Sequence, residues 1–210
     1  MKNINNYIVE KLKKINSNTS TIVYTEHPKD IDELRKILIK RLKKDKDANL
    51  NDIDVSNVDY MRQLFFKLDP HNIDISEWDV SKVTNFSGMF MGCENLKCDV
   101  SNWNVSNASF MISMFEDCHE FDSDLSKWDV SNVIKTCMMF KECNNFKGKG
   151  IENWNTKHID TYFKMFYNCK NLKCDLNKWN KNDLNLEDIG DMFYGCNTLE
   201  KLNLIPSWYK

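Results

Sequence analysis

A pair of adjacent residues, repeated in phase, limits what this chain can fold into. Leu64-Phe65 returns as Met89-Phe90, Met114-Phe115, Met139-Phe140, Met165-Phe166 and Met192-Phe193, at intervals of 25, 25, 25, 26 and 27 residues. Trp78, Trp103, Trp128, Trp154 and Trp179 keep the same beat before a displaced Trp208. Cys93, Cys118, Cys143, Cys169 and Cys196 each follow the Phe by three places, with Leu68 in the first unit. A unit this short cannot bury its own apolar face, so neighbouring units must stack on one another.

Within a unit, Val83, Phe86, Met89, Phe90 and Cys93 fall on one face of a helix of about three turns. Ser81 stands before it as an N-cap, with counterparts Ser56, Ser106 and Ser131, and Ser56 with Asp59 resembles a capping box. The stretch Leu96-Lys97-Cys98-Asp99-Val100 reads as one brief strand. Stacking would then place such strands about 4.8 Å apart in a parallel ladder. The expected fold class is α/β, a right-handed leucine-rich-repeat-like solenoid of six roughly 25-residue coils with an N-terminal α/β cap.

Residues 1–50 do not repeat and divide the chain into an N-terminal capping region (1–50), a six-coil array (51–198) and a C-terminal cap (199–210). Ile4, Tyr7, Ile8, Leu12 and Ile15 suggest a helix, and Thr21–Thr25 a strand that His27-Pro28 ends. Asp30 is placed to cap a second helix carrying Ile31, Leu34, Ile37, Leu38 and Leu42 on one face. Charge divides at the same boundary. Residues 1–50 carry 12 Lys+Arg against 7 Asp+Glu, and the rest of the chain carries 17 against 24. Lys outnumbers Arg 26 to 3, which weakens any reading built on bidentate phosphate or base-edge contacts.

Residues that could carry chemistry mostly fall into the scaffold. Five cysteines spaced by about 25 residues are unlike a zinc site and read as core thiols; Cys98 and Cys174 share a second phase and Cys137 stands alone. Asp74, Asp99, Asp124 and Asp175 precede Trp by four places, where Gly150 replaces Asp in one unit. Turn-capping is the expectation for these carboxylates, with a calcium ladder as the alternative. His27, His71, His119 and His158 lie at unrelated phases, and no phosphate loop, HExxH or GxSxG motif is present. No enzyme activity, cofactor or metal is expected.

The variable letters are more informative. Phe66, Phe110, Ile112, Met138, Phe163, Tyr167 and Tyr194 depart from polar counterparts in other units and predict an outward apolar strip that binds a partner. Packing between coils is the competing account. Lys40, Arg41, Lys43, Lys44 and Lys46 form a basic cluster at the end of the capping helix, suited to its dipole or to a nucleic-acid-loaded partner.

The pattern Met-Phe-x-x-Cys-x-x-Leu/Phe-x-x-Asp-Leu/Val-Ser-x-Trp-Asn/Asp-Val-Ser-x-Val, over Asp52 to Asn203, resembles the BspA-like leucine-rich-repeat family of bacterial proteins. Members of that family are generally secreted or lipid-anchored and bind proteins or host surfaces, and the resemblance implies no catalytic repeat residue. No signal-peptide core, lipobox or transmembrane run is visible, so a cytoplasmic location is expected unless a leader was removed. The leading expectation is a non-enzymatic protein-binding scaffold, monomeric, whose partner is another protein or a protein–RNA complex, with no membrane role. Two alternatives stand beside it: an inhibitor carried by a phage or mobile element against a host defence nuclease such as a CRISPR effector, and a surface adhesin.

Overall fold

The computed structural model describes residues 22–179 and 184–209. The helix expected from Ile4 to Ile15 lies outside the described residues. Among these, helical structure is confined to α1 (Ile31–Leu42), α2 (Asn197–Lys201) and two 3₁₀ turns (Ile151–Asn153 and Ser207–Tyr209). None of these helices is long and apolar enough to cross a membrane.

Helix α1 forms as its sequence requires. The Asp30 carboxylate accepts the Glu33 amide at 2.9 Å, and the Glu33 carboxylate accepts the Lys29 amide at 3.0 Å. Leu34, Leu38 and Leu42, four apart, are buried against the first repeat unit, with Ile31 and Ile37 partly buried beside them. Of the strand expected over Thr21–Thr25, Thr21 lies outside the described residues and 22–25 form no strand; one parallel bridge, Glu26 to Ile53, follows them.

Inside the units neither the expected helix nor the expected strand is present. Residues 83–93 form a chain of turns, and residues 96–100 are irregular. The amides of Met89, Met91 and Cys93 close four-residue turns on the carbonyls of Phe86, Gly88 and Phe90 at 2.9–3.1 Å. The amides between them, on Phe86, Gly88, Phe90 and Gly92, donate instead to Phe110, Ile112, Met114 and Glu116 of the next unit at 2.7–2.9 Å. A helix would aim every amide along its own axis; here alternate amides leave sideways. Two left-handed residues per unit, four apart, make that possible: Gly88 and Gly92, Ser113 and Asp117, Met138 and Glu142. Each resets the right-handed turn before it. Parallel bridges run Tyr60 to Asn85 to Phe110 to Lys135 to Thr161, so the ladder lies where a helix was expected.

Serine is not a helix cap here either. The Asp74, Asp99, Asp124 and Asp175 carboxylates each accept the amide two residues on, at 2.9–3.1 Å. Asp79, Asn104, Asp129 and Asn155 do the same at 3.0–3.3 Å. These are Asx turns, the turn-capping role expected of the Asp ladder. At Gly150, φ is 93° and an added Cβ would overlap the Ser126 backbone; here the Gly150 amide donates to the Glu152 carboxylate, at 2.9 Å.

The core consists of three parallel ladders. Phe65, Phe90, Phe115, Phe140, Phe166 and Phe193 stack with ring centroids 4.9–5.8 Å apart and planes within 16°. Each Trp indole donates to a carbonyl in the unit before: Trp78 to Leu50, Trp103 to Ile75, Trp128 to Val100, Trp154 to Leu125 and Trp179 to Ile151, at 2.8–3.3 Å. The displaced Trp208 completes the series on Leu176 at 3.0 Å. Likewise the Cys118, Cys143, Cys169 and Cys196 thiols donate to Phe90, Phe115, Phe140 and Phe166 at 2.8–3.1 Å. The repeated letters therefore carry both apolar burial and the hydrogen bonds of the interior.

Candidate protein-binding face

The turn ladder decides which side chains face outward. Four rows of carbonyls accept from the preceding unit: the side chains of one, Met89, Met114, Met139, Met165 and Met192, are buried in the core, and the other three rows lie outside it. One outer row reads Tyr60, Asn85, Phe110, Lys135 and Thr161. A second contains Ile112 and Phe163, and a third contains Phe66, Glu116, Lys141, Tyr167 and Tyr194.

The seven predicted residues do not form one strip. Phe163, Tyr167 and Tyr194 come together near the last unit: the two tyrosine rings stack at 4.9 Å, and the Lys164 ammonium lies 5.1 Å from the Phe163 ring and 5.4 Å from the Tyr167 ring. Phe110, 38% exposed, and half-buried Ile112 form a second group. Phe66 lies apart on the first unit, half-buried under the Lys67 ammonium at 5.2 Å. Between Phe66 and Tyr167, the same row holds an ion pair of Glu116 and Lys141 at 2.7 Å. Met138 occupies a left-handed position, with φ 56°, and is half-buried outside these rows. Sequence reasoning missed Tyr60, 39% exposed, although counting 50 residues back from Phe110 finds it.

Only part of the basic cluster is free. Arg41 makes two bonds to the Asp52 carboxylate, at 3.0 and 3.2 Å, and a third to the Asn49 carbonyl at 2.9 Å. Lys46 donates to the Leu68 carbonyl. Lys40, Lys43 and Lys44 remain exposed. Carboxylates of the array meet lysines of a neighbouring unit: Asp124 with Lys149 at 2.6 Å and Asp122 with Lys147 one unit on, and Glu120 with Lys97 one unit back at 3.6 Å.

The five core thiols are unreactive in character. Burial pushes the Cys93 and Cys196 thiols up to about 12 and those of Cys118, Cys143 and Cys169 well above their usual range. They remain protonated donors. Among the described residues no three His, Cys, Asp or Glu side chains gather as a metal site would require.

A family model described as "Mycoplasma protein of unknown function, DUF285" matches residues 34–150 and again 111–208. The chain belongs to the DUF285 family. The two matches overlap over 111–150, as a periodic pattern allows. No curated protein and no solved structure matches the chain.

Proposed function

We infer that this DUF285 chain is a non-enzymatic scaffold that binds another protein, and that its units form a right-handed solenoid of the BspA-like leucine-rich-repeat kind. One observation carries this reading. The residues that repeat are consumed by the core ladders, while the outward rows at the same registers change freely, from Asn85 to Phe110 to Lys135 and from Glu116 to Tyr167. Constant interior and variable face is the pattern of a recognition surface. The aromatic group Phe163, Tyr167 and Tyr194, beside Phe110 and Ile112, supplies anchors of the type that dominates protein interfaces. The acidic array gives less support to the alternative of an inhibitor of a host defence nuclease, because Asp122, Asp124 and Glu120 are each paired with a lysine of a neighbouring unit.

The test compares wild-type chain with a Phe110→Asp, Phe163→Asp double variant as baits in native-cell lysate. Wild type is expected to retain a discrete protein that the double variant loses at unchanged melting temperature. A carboxylate at the centre of an interface must be desolvated without a counter-ion, whereas on a solvated face it costs little. Charge reversal at Lys43 and Lys44 should weaken capture chiefly at low salt. Retention by a folded double variant would overturn the assignment of this face, and loss only in the lysine variant would favour a nucleic-acid-bearing partner.

A further inference from the structure

At one corner of the array, side chains staple each unit to the same carbonyl of the unit before. The Asn107 amide nitrogen donates to the Ser81 carbonyl at 2.7 Å, and the Asn132 amide nitrogen to the Ser106 carbonyl at 2.8 Å. In the next unit His158 takes the place of Asn, with Nδ1 2.8 Å from the Ser131 carbonyl. A carbonyl can only accept, so each amide turns its nitrogen to the backbone and the neutral imidazole carries its proton on Nδ1. What remains in each unit is an acceptor: Asn107 Oδ1, Asn132 Oδ1 and His158 Nε2. None of the three meets a donor among the described residues.

These three residues line an open pocket of about 640 Å³ together with Ser109, Ile134 and Asp160. Asp160 brings a further unmet acceptor: its Oδ2 pairs with the Lys135 ammonium at 2.7 Å, while its Oδ1 is buried with no donor. Ile134 is 40% exposed and gives the pocket an apolar wall.

A pocket short of donors selects its ligand by what the ligand donates. Phosphates and carboxylates would meet acceptors only. A guanidinium fork fits two acceptors side by side in one plane, whereas here single atoms stand one unit apart; an ammonium is a compact charge with three donors. Successive units lie 5.7 Å apart at their Phe rings. Nitrogens joined by three or four methylenes are separated by about 5–6 Å when the chain is extended. We propose that this pocket binds a linear aliphatic polyamine lying across the units. Its ammonium groups donate to Asn107 Oδ1, Asn132 Oδ1 and His158 Nε2, and its methylenes lie on Ile134. None of the aromatic anchors of the protein-binding face lines the pocket, so failure of either reading leaves the other standing.

The probe is spermine, titrated into the ¹⁵N-labelled full chain at constant ionic strength, with magnesium chloride as the control for charge alone. The side-chain amides of Asn107 and Asn132 and the His158 ring should shift together on one saturating curve that magnesium does not reproduce. His158→Lys sets an ammonium where an acceptor stood and should weaken spermine about tenfold or more. His158→Asn restores the residue used one unit earlier and should bind within about twofold of the wild type. His158 is exposed, and the melting temperature of each variant checks that it folds. The proposal fails if magnesium gives the same shifts, if the three groups do not respond, or if His158→Lys binds as the wild type does. Equal weakening in both folded variants would also overturn it, because the ring and not its acceptor would then matter. A capped peptide of alternating lysine and glycine carries the same ammonium groups on a protein chain; tighter binding of that peptide than of spermine would make a free polyamine the wrong source. Should a variant not fold, the wild-type titrations decide alone.

Discussion

Asp99 shows how a single carboxylate serves this architecture. The Ser101 hydroxyl and amide hydrogen-bond it and hold its pKa below the usual 3.8, against partial burial and the neighbouring Asp124 charge. Asp124 is lowered as well, first by Lys149 and then by Ser126. A carboxyl whose folded-state pKa lies below its unfolded value adds stability that is complete above the unfolded pKa. That stability drains away as pH falls through the folded one. The chain should therefore lose stability below pH ~4 as these groups protonate. Asn104 makes the same turn without a charge, its side chain accepting the Ser106 amide at 3.2 Å. Asp99→Asn is accordingly expected to keep neutral-pH stability within about 0.5 kcal/mol while making the acid limb of a denaturant-melt series shallower. An unchanged acid limb would show that Asp99 does not contribute to it.

The same turns explain what could be read from the sequence at the level of elements. The inward face Phe86, Met89, Phe90 and Cys93 was legible, and all four are fully buried. A helix and a run of four-residue turns with left-handed resets place the same spacings inward, so periodicity alone cannot separate them. Gly88 and Gly92, four apart in that stretch, were the available signal, because glycine tolerates the left-handed region at little cost. In the other units Ser113, Asp117, Met138 and Glu142 hide it. Helix α1 was legible because Asp30 and the Leu34, Leu38, Leu42 spacing have no such double reading. For the candidate face, most of the outward residues were legible one by one, Tyr60 being missed and Met138 lying outside the rows, but their division by the Glu116–Lys141 pair was not, since both look like ordinary surface charges in sequence. Glycine substitutions separate backbone cost from steric cost. At Gly92 nothing lies within 4 Å of an added Cβ, so Gly92→Ala should cost only the left-handed conformation, about 1 kcal/mol. Gly150→Ala should cost several times more, because the backbone of Ser126 must move. Chemical denaturation of both variants measures the difference, and equal losses would refute the close approach at Gly150.

Across the whole molecule, the core is reached only by parting one unit from the next. Cys93, Cys118, Cys143, Cys169 and Cys196 are buried, whereas Cys98, Cys137 and Cys174 are half-buried. Iodoacetamide applied under native conditions should modify half-buried Cys137 first, since burial also raises the Cys98 and Cys174 thiols, and reach the five core thiols only through opening of the stack. Mass spectrometry of the alkylated peptides over time checks this; early labelling of Cys143 would show that the interior opens locally. Bonds that run only to the adjacent unit have a further consequence. Nothing in the ladder counts. Excising residues 111–135 would rejoin Phe110 to Thr136 with each register of rings, thiols and turns preserved. Such a chain can gain or lose whole units by in-frame recombination of its gene, each unit bringing its own outward letters. The length of the molecule is therefore a variable that selection can adjust separately from the chemistry of any one unit.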